Sequence, residues 1–284
     1  MTSDVHGSWK HEEAIINGIR LHWVEAGEGP LVVLLHGFPE FWYSWRHQIP
    51  VLSTRFRVVA PDMRGYNLSE KPQAGYDIQT LTADVLALVH ALGEDQAVII
   101  GHDWGGVIAW AFAARFPDAT NKLVIMNAPH PQRFQRSLTS GFGQILRSWY
   151  VLFFQIPRLP ELLLGANRCW ALARAMRTSS KDQDAFSDQD LERYRDAMSR
   201  PGALTAALGY YRAVFRTRSQ TRQFGQVQAP TLVLWGEHDR ALGRELAEGL
   251  EQWVPNVNVR FLDCGHWTQQ EQPDQVNAYL DEFL

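Results

Sequence analysis

The chemistry in this sequence is concentrated at a corner between a predicted strand and a predicted helix. The apolar run 97–100 ends at Gly101 and a helical run begins at Trp104, so Asp103 lies on a sharp turn with its side chain lifted clear of the sheet. A carboxylate that attacks an acyl carbon forms a high-energy anhydride, whereas attack on an sp3 carbon with a leaving group forms an alkyl ester. Asp103 is therefore predicted to be a nucleophile toward an alkyl carbon.

A second interpretation is that Asp103 caps the helix that follows it. Asp is a favoured N-cap residue, and the helix dipole stabilises a negative charge at that position. Asp103 taken alone does not distinguish the two interpretations. A base, an acid and oxyanion donors at positions that the fold can bring together would favour the nucleophile.

Two further predicted strands end close to residues that would complete such a site. The run Thr231 to Trp235 precedes Asp239, and the run Val257 to Leu262 precedes His266. Functional groups collect at the carboxyl ends of strands in a doubly wound sheet. The chain order of nucleophile, acid and base predicts that Asp239 orients His266 and that His266 activates water.

Each member of this set has an alternative role or a rival. His266 could be a histidine at the edge of the core that hydrogen-bonds to backbone, and Asp239 could cap a helix. Glu237 and Asp263 are rival acids, but they lie nearer the strand ends and have less loop with which to reach His266. Asp239 is therefore the preferred acid.

Backbone N–H groups for an oxyanion are expected from the residue after the nucleophile and from the first βα loop. These residues are Trp104 and Phe38, in a loop that Gly37 and Pro39 shape. Because attack on an alkyl carbon leaves no oxyanion on Asp103, the donors would act when water adds to the ester, at about 3 kcal/mol each. Trp104, Phe38 and Pro39 are also predicted to line the substrate pocket. Two nearby histidines are expected to support loop packing: His36 and His102.

The elements that must position these residues alternate between strand and helix along most of the chain. A hairpin that turns at Asn17-Gly18 opens the sheet, and buried strands then alternate with helices. This alternation predicts an α/β fold with a mostly parallel, doubly wound sheet. Two helices are predicted near the end of the chain, at Arg244 to Trp253 and at Gln275 to Phe283.

The alternation fails between residues 129 and 228, where four helical stretches take its place. They are Phe142 to Gln155, Leu159 to Arg177, Asp188 to Ser199 and Leu204 to Thr217. A helical block of this size inserted into a sheet is typical of a lid. The predicted organisation is a core in two parts, residues 1–128 and 229–284, with a helical lid over residues 129–228.

The composition of this 284-residue chain excludes several classes of protein. It is 45% hydrophobic and can build a large core without disulfides, and its net charge of −4 argues against a nucleic-acid partner. The arginines between residues 133 and 177 are expected to form a solvated face. Cys169 and Cys264 match no metal-binding spacing, so neither a metal nor a cofactor is predicted. Without a signal-like start or an apolar run of about 20 residues, the chain is expected to be cytoplasmic, with no membrane partner.

Three motifs resemble those of the epoxide hydrolases of the α/β-hydrolase fold. They are His36-Gly37-Phe38-Pro39-Glu40, Gly101-His102-Asp103-Trp104-Gly105-Gly106 and Asp263-Cys264-Gly265-His266-Trp267-Thr268-Gln269. The resemblance covers nearly the whole chain and is weakest in the lid. In this family two lid tyrosines hold the epoxide oxygen, and the resemblance gives that role to Tyr150 and Tyr211. Adjacent helical residues point about 100° apart, so Tyr211 rather than Tyr210 is expected to face the site.

The function that follows is hydrolysis of a small apolar epoxide to a diol through an ester on Asp103. Dehalogenation of a haloalkane or haloacid by the same nucleophile is an alternative. Haloalkane dehalogenases usually have Asn or Trp as the second halide donor where Phe38 stands, and fluoroacetate dehalogenases have arginines where Trp104 and Val107 stand. A non-catalytic ligand-binding protein of this fold is a third alternative, but a binding protein has no need of a base that activates water.

Overall fold

One sheet runs through the centre of the molecule. The computed structural model describes residues 9–140, 142–216 and 224–284, and in these residues eight strands form the sheet in the order β1-β2-β4-β3-β5-β6-β7-β8. The strands are β1 (Lys10–Ile16), β2 (Ile19–Ala26), β3 (Leu31–Leu35), β4 (Arg57–Pro61), β5 (Ala97–His102), β6 (Thr120–Met126), β7 (Thr231–Gly236) and β8 (Val257–Leu262). The pairs β1–β2 and β2–β4 are antiparallel, and the strands from β3 to β8 run parallel. The mostly parallel sheet is therefore confirmed.

The described residues also form eleven helices. They are α1 (Ile49–Leu52), α2 (Ile78–Ala91), α3 (Trp104–Arg115), α4 (Pro131–Ser140), α5 (Phe142–Arg147), α6 (Trp149–Phe153), α7 (Leu159–Ser179), α8 (Asp188–Met198), α9 (Ala203–Arg216), α10 (Thr268–Glu271) and α11 (Pro273–Phe283). The helices α4 to α9 all lie between β6 and β7 in the chain. The division of the chain into a core and a lid over residues 129–228 stays a prediction.

Both faces of the sheet are covered by apolar side chains. In β3, Leu31, Val33 and Leu35 belong to one buried cluster, and Val32 and Leu34 belong to another. Successive side chains of a strand point to opposite faces, so this division places β3 in the middle of the core. Helices α2 and α3 contribute to the first cluster, and α1 and α11 contribute to the second.

Local signals in the sequence mark the ends of several elements. Asn17 and Gly18 have φ values of 47° and 79°, as the predicted hairpin turn requires. The side chain of Asp77 accepts a hydrogen bond from the Thr80 N–H and caps α2, and Gly93 follows the end of that helix with φ of 85°.

Several predicted helices were wrong in extent. The helix expected at Arg244 to Trp253 is a single 3-10 turn, Arg244–Ala247, because Glu248 is extended, with φ of −102° and ψ of 147°, and Gly249 follows with φ of 68°. The stretch 142–155 forms two short helices, and α7 is broken at residues 166–169, a break that includes Asn167 and directly follows Gly165, two residues that favour helix poorly. Helix α4 was missed, although Pro131 is a typical first helical residue. Thr217 lies outside the described residues.

Within the described ranges, no helix combines the length and the apolar character needed to cross a bilayer.

Candidate active site

Asp103 lies between β5 and α3 in a conformation that few residues adopt. Its φ and ψ are 50° and −119°, and its side chain makes no capping hydrogen bond to α3. The carboxylate turns instead toward the loop after β3, where the backbone N–H of Phe38 donates to Oδ1 at 2.8 Å. The capping interpretation is therefore wrong, and the strained backbone is typical of a functional turn.

Glycines make this corner sterically possible. A Cβ atom on Gly105 would lie 2.0 Å from the carbonyl oxygen of Leu35, and one on Gly101 would lie 2.4 Å from that of Gly105. A Cβ atom on Gly37 would lie 2.5 Å from Cβ of Asp103. Side chains at these glycines would separate the nucleophile turn from the loop that holds its carboxylate.

His266 bridges the two predicted carboxylates. Its Nδ1 lies 2.7 Å from Oδ2 of Asp239, and its Nε2 lies 3.6 Å from Oδ2 of Asp103. Asp239 also accepts hydrogen bonds from the backbone N–H groups of Ala241 and Leu242. The three strand ends thus bring the predicted nucleophile, base and acid close together.

The two rival acids lie elsewhere. Asp263 forms an ion pair with Lys181 and contacts His238 at 2.7 Å, and Glu237 forms an ion pair with Arg244. Both carboxylates are at the surface. Neither is a partner of His266.

The charges in this site act on one another. Burial alone would raise the pKa of Asp103, but His266, His102 and the Phe38 N–H outweigh burial and hold this pKa below 3.8. Burial would lower the pKa of His266, but the negative charges of Asp239 and Asp103 outweigh it and raise this pKa well above 6.5. These opposite shifts in pKa favour an ionised Asp103 beside a protonated His266.

Asn127 is a functional candidate that our sequence analysis missed. It follows β6, and its Nδ2 donates to Oδ2 of Asp239 at 2.7 Å. Its Oδ1 accepts from the backbone N–H of Gly236 at 3.0 Å and from the hydroxyl of Thr268. Asn127 thereby holds Asp239 in place from the end of β6, the strand next to β7. The strand pattern could have indicated Asn127 as a residue at this edge of the sheet.

The two histidines of the flanking motifs hold loops in place. Nδ1 of His102 lies 2.7 Å from a carboxylate oxygen of Glu40, and its Nε2 lies 2.9 Å from the backbone carbonyl oxygen of His266. His36 accepts the backbone N–H of Met63 on Nε2 at 3.0 Å. Both rings are completely buried, which agrees with the packing role expected of them.

Tyr150 and Tyr211 approach Asp103 from the helical block. Their ring centroids are 6.1 Å apart, and the Tyr211 ring lies 5.0 Å from Trp104 and 5.6 Å from Phe38. Burial raises the pKa of both tyrosines, and the charge of Asp103 raises it further. Both hydroxyls therefore keep their protons. The hydroxyl of Tyr210 instead donates to the Arg64 carbonyl at 2.7 Å, away from the nucleophile.

The remaining predicted residues frame the site. Trp104 is the first residue of α3, directly after the nucleophile, and its ring also contacts Tyr210 at 5.6 Å. The Phe38 ring packs against Phe154 at 5.9 Å. Pro39 is buried and follows Phe38 through a cis peptide bond. No group of His, Cys, Asp and Glu side chains in the described part of the chain is arranged to hold a metal ion.

Glu271 joins the loop of the base to the helical block. Its buried carboxylate accepts backbone N–H groups from Gly265 at 3.0 Å and from Trp267 at 3.2 Å, on either side of His266. It also accepts those of Lys181 at 2.7 Å and Asp182 at 3.2 Å, just after α7. One carboxylate therefore holds both segments.

Comparison with protein families matches residues 30–273 to the α/β hydrolase fold family, and the chain belongs to that family. The predicted fold class is thereby confirmed. Within the family, the chain is 41% identical to Epoxide hydrolase 4 of Mus musculus over 94% of this chain and 77% of that protein. It is 42% identical to the AB hydrolase superfamily protein YfhM of Bacillus subtilis over 94% of this chain and 95% of that protein.

A solved structure agrees with these relatives. The epoxide hydrolase of Bacillus megaterium in complex with an inhibitor superposes with a TM-score of 0.88 and 32% identity, covering 96% of this chain and 99% of that one. The resemblance to epoxide hydrolases and the assignment of the chain as a hydrolase are confirmed by these similarities.

Proposed function

We propose that this hydrolase converts a small apolar epoxide into a vicinal diol through an ester on Asp103. The observation that carries the proposal is the presence of two protonated tyrosines, Tyr150 and Tyr211, near the Asp103 carboxylate. An epoxide oxygen becomes a strongly basic alkoxide as the ring opens, so proton donors near the nucleophile suit this reaction. Both tyrosines belong to the block 129–228, which we propose acts as the lid.

In the first step one carboxylate oxygen attacks a ring carbon. Oδ1 of Asp103 is held by the Phe38 N–H, so we assign the attack to Oδ2. The bond from Oδ2 to carbon forms as the ring carbon–oxygen bond breaks. The alkoxide takes a proton from Tyr150 or Tyr211, which leaves a hydroxyalkyl ester on Asp103.

In the second step water attacks Cγ of Asp103. His266 takes a proton from the water at Nε2, and Asp239 stabilises the imidazolium that results. The oxyanion forms on Oδ1, where the Phe38 N–H already donates and where we propose that the Trp104 N–H also donates. The bond between Cγ and Oδ2 then breaks, and the diol leaves with Oδ2. Of the two water protons, one ends on this Oδ2 oxygen of the diol and the other returns to the tyrosine that gave its proton in the first step.

Formation of the ester prepares the base for this second step. The negative charge of Asp103 is one of the causes that raise the pKa of His266. Alkylation removes that charge while burial continues to lower the pKa, so the pKa of His266 falls when the ester forms. The imidazolium then gives up its proton more readily and becomes a base.

The two steps are therefore expected to respond differently to pH. Alkylation needs ionised Asp103 and protonated tyrosines, so its rate should stay flat between about pH 5 and pH 9. Hydrolysis needs neutral His266, so its rate should rise with pH, with an apparent pKa below that of His266 in the free enzyme. Quenched-flow single turnovers give both rates, and NMR of the His266 ring gives the free-enzyme value. A hydrolysis rate that does not change with pH would contradict this coupling.

The tyrosines separate epoxide chemistry from halide chemistry. Tyr150→Phe and Tyr211→Phe are each expected to slow the alkylation of Asp103 by an epoxide by about 10²-fold, and the double variant by more, because each removes a proton donor. A departing halide needs no proton, so alkylation by a haloalkane or haloacid should change much less. Rapid-quench mass spectrometry of the Asp103 adduct measures both rates.

Tyr210→Phe is the matched control for this experiment. It removes a hydroxyl from the same helix, but that hydroxyl is bonded to the Arg64 carbonyl. It is expected to cost about 1 kcal/mol of stability and to leave alkylation unchanged. Alkylation by epoxides at the unaltered rate in the Tyr150→Phe, Tyr211→Phe variant would favour dehalogenation instead.

A further inference from the structure

The outer surface of the helical block exposes an unusual number of large apolar side chains. Among the described residues, nine of the eleven exposed large apolar side chains lie in the block, and the other two, Ile15 and Val51, lie outside it. Leu162 is 72% exposed and Trp149 is 64% exposed. Eight of the nine form what we call the apolar lid face: Leu146, Trp149, Leu152, Ile156, Leu159, Leu162, Leu163 and Trp170. Exposed large apolar side chains concentrated in one segment are typical of an interaction site.

The segment that carries this face is fixed from its inner side. On α6, the Tyr150 ring packs against Phe154 at 5.6 Å, while Trp149 on the same helix is exposed. Arg212 of α9 donates to the carbonyls of Phe154 and Ile156 and forms an ion pair with Glu161. The outward side chains are therefore presented by a held backbone.

The charge of the block differs in sign from that of the rest of the chain. Residues 129–228 contain 15 of the 27 Lys and Arg and only seven of the 31 Asp and Glu, a formal charge of +8, which leaves −12 elsewhere. Four exposed arginines lie in the segment of the apolar lid face: Arg147, Arg158, Arg168 and Arg174. Arg168 forms ion pairs with Glu192 and Asp196, and Arg147 lies 3.8 Å from Glu245, so the proposal below depends chiefly on Arg158 and Arg174. The guanidinium of Arg174 lies 5.5 Å from the Trp170 ring centroid.

We propose that the apolar lid face docks on the surface of a bilayer that contains anionic lipid. Leucines and tryptophans beside arginines suit the boundary between acyl chains and headgroups, and the arginines attract the anionic headgroups. A second copy suits the face less well, because a two-fold contact would bring two blocks of charge +8 together. Peripheral docking needs no membrane-spanning segment. It replaces our expectation from composition of no membrane partner, and it does not depend on the proposed reaction.

Vesicle flotation of the full chain tests this proposal. Binding is expected to vesicles of phosphatidylcholine with about 30 mol % phosphatidylglycerol, to be much weaker without the anionic lipid, and to fall as salt is raised. Changing Trp149, Leu152 and Leu162 together to Ser should reduce the bound fraction at least tenfold. Each of Arg158→Gln and Arg174→Gln should weaken partitioning about fivefold.

The matched control is the pair Ile15→Ser and Val51→Ser, which removes exposed apolar side chains outside the block. This control should bind vesicles like the original chain, and thermal unfolding of all variants should be unchanged. Equal binding by the triple variant, or no binding of the original chain to anionic vesicles, would overturn the proposal. A dimer in sedimentation that the triple variant converts to a monomer, without lipid binding, would assign the face to a second copy.

Discussion

Asp103→Ser is expected to reduce epoxide turnover by at least about 10⁴-fold, although serine is the nucleophile of many enzymes with a turn of this kind. A serine that attacked an alkyl carbon would form an ether. An ether has no carbonyl carbon for water to attack, so neither His266 nor the Phe38 N–H could complete the reaction. Steady-state turnover of an epoxide measures the loss.

Asp118→Ser provides a matched control, since Asp118 is an exposed carboxylate just beyond the end of α3. It should leave turnover unchanged. Undiminished steady turnover by Asp103→Ser would remove Asp103 from the role of nucleophile. A trace of activity at the level of about 10⁻⁴ would fit direct attack of water on a bound substrate.

His266→Gln is expected to trap the enzyme after the first step. Asp103 and the two tyrosines remain in place, so the epoxide should still alkylate Asp103. The adduct should form within the time that the original enzyme needs for a few turnovers. Without the base, hydrolysis of the ester should slow by at least about 10³-fold. Intact-protein mass spectrometry should show the mass of one substrate added, and peptide mapping should place it on Asp103.

His90→Gln is the control, because His90 is exposed near the end of α2. It should turn over normally and show no adduct. An unmodified mass of His266→Gln together with normal turnover would rule out His266 as the base. An adduct on another residue would rule out Asp103 instead.

The placement of the proposed catalytic residues could be predicted because each follows a strand with a clear local pattern. Periodicity locates a buried strand within a few residues, and parallel strands bring their carboxyl ends to one edge. This reasoning was enough to bring Asp103 and His266 to one edge of the sheet. The choice of Asp239 over Asp263 depended on loop length, and the structure gives Asp263 different partners in Lys181 and His238.

The residues that were missed act through contacts between distant parts of the chain. The end of β6 marks Asn127 as a candidate, but its contact with Asp239, 112 positions away in the sequence, cannot be read from the local pattern. The helical block was difficult for a different reason. Helices α5 and α6 have only six and five residues, and breaks such as that at residues 166–169 depend on a few dihedral angles that weak propensities do not decide.

The Glu271 carboxylate has a consequence for how the molecule moves. Its four donors come from two segments, Gly265 and Trp267 beside the base and Lys181 and Asp182 after α7. If the helical block moves away at this edge, the N–H groups of Lys181 and Asp182 leave the Glu271 carboxylate, which keeps only half its hydrogen-bond donors. A buried carboxylate with fewer donors is less stable in its place, so the loop of His266 is held less firmly. Amide hydrogen exchange at all four positions should then report one shared opening event. While this edge is open, His266 would not be held in position to act as the proposed base. It would regain that position when the two segments meet again.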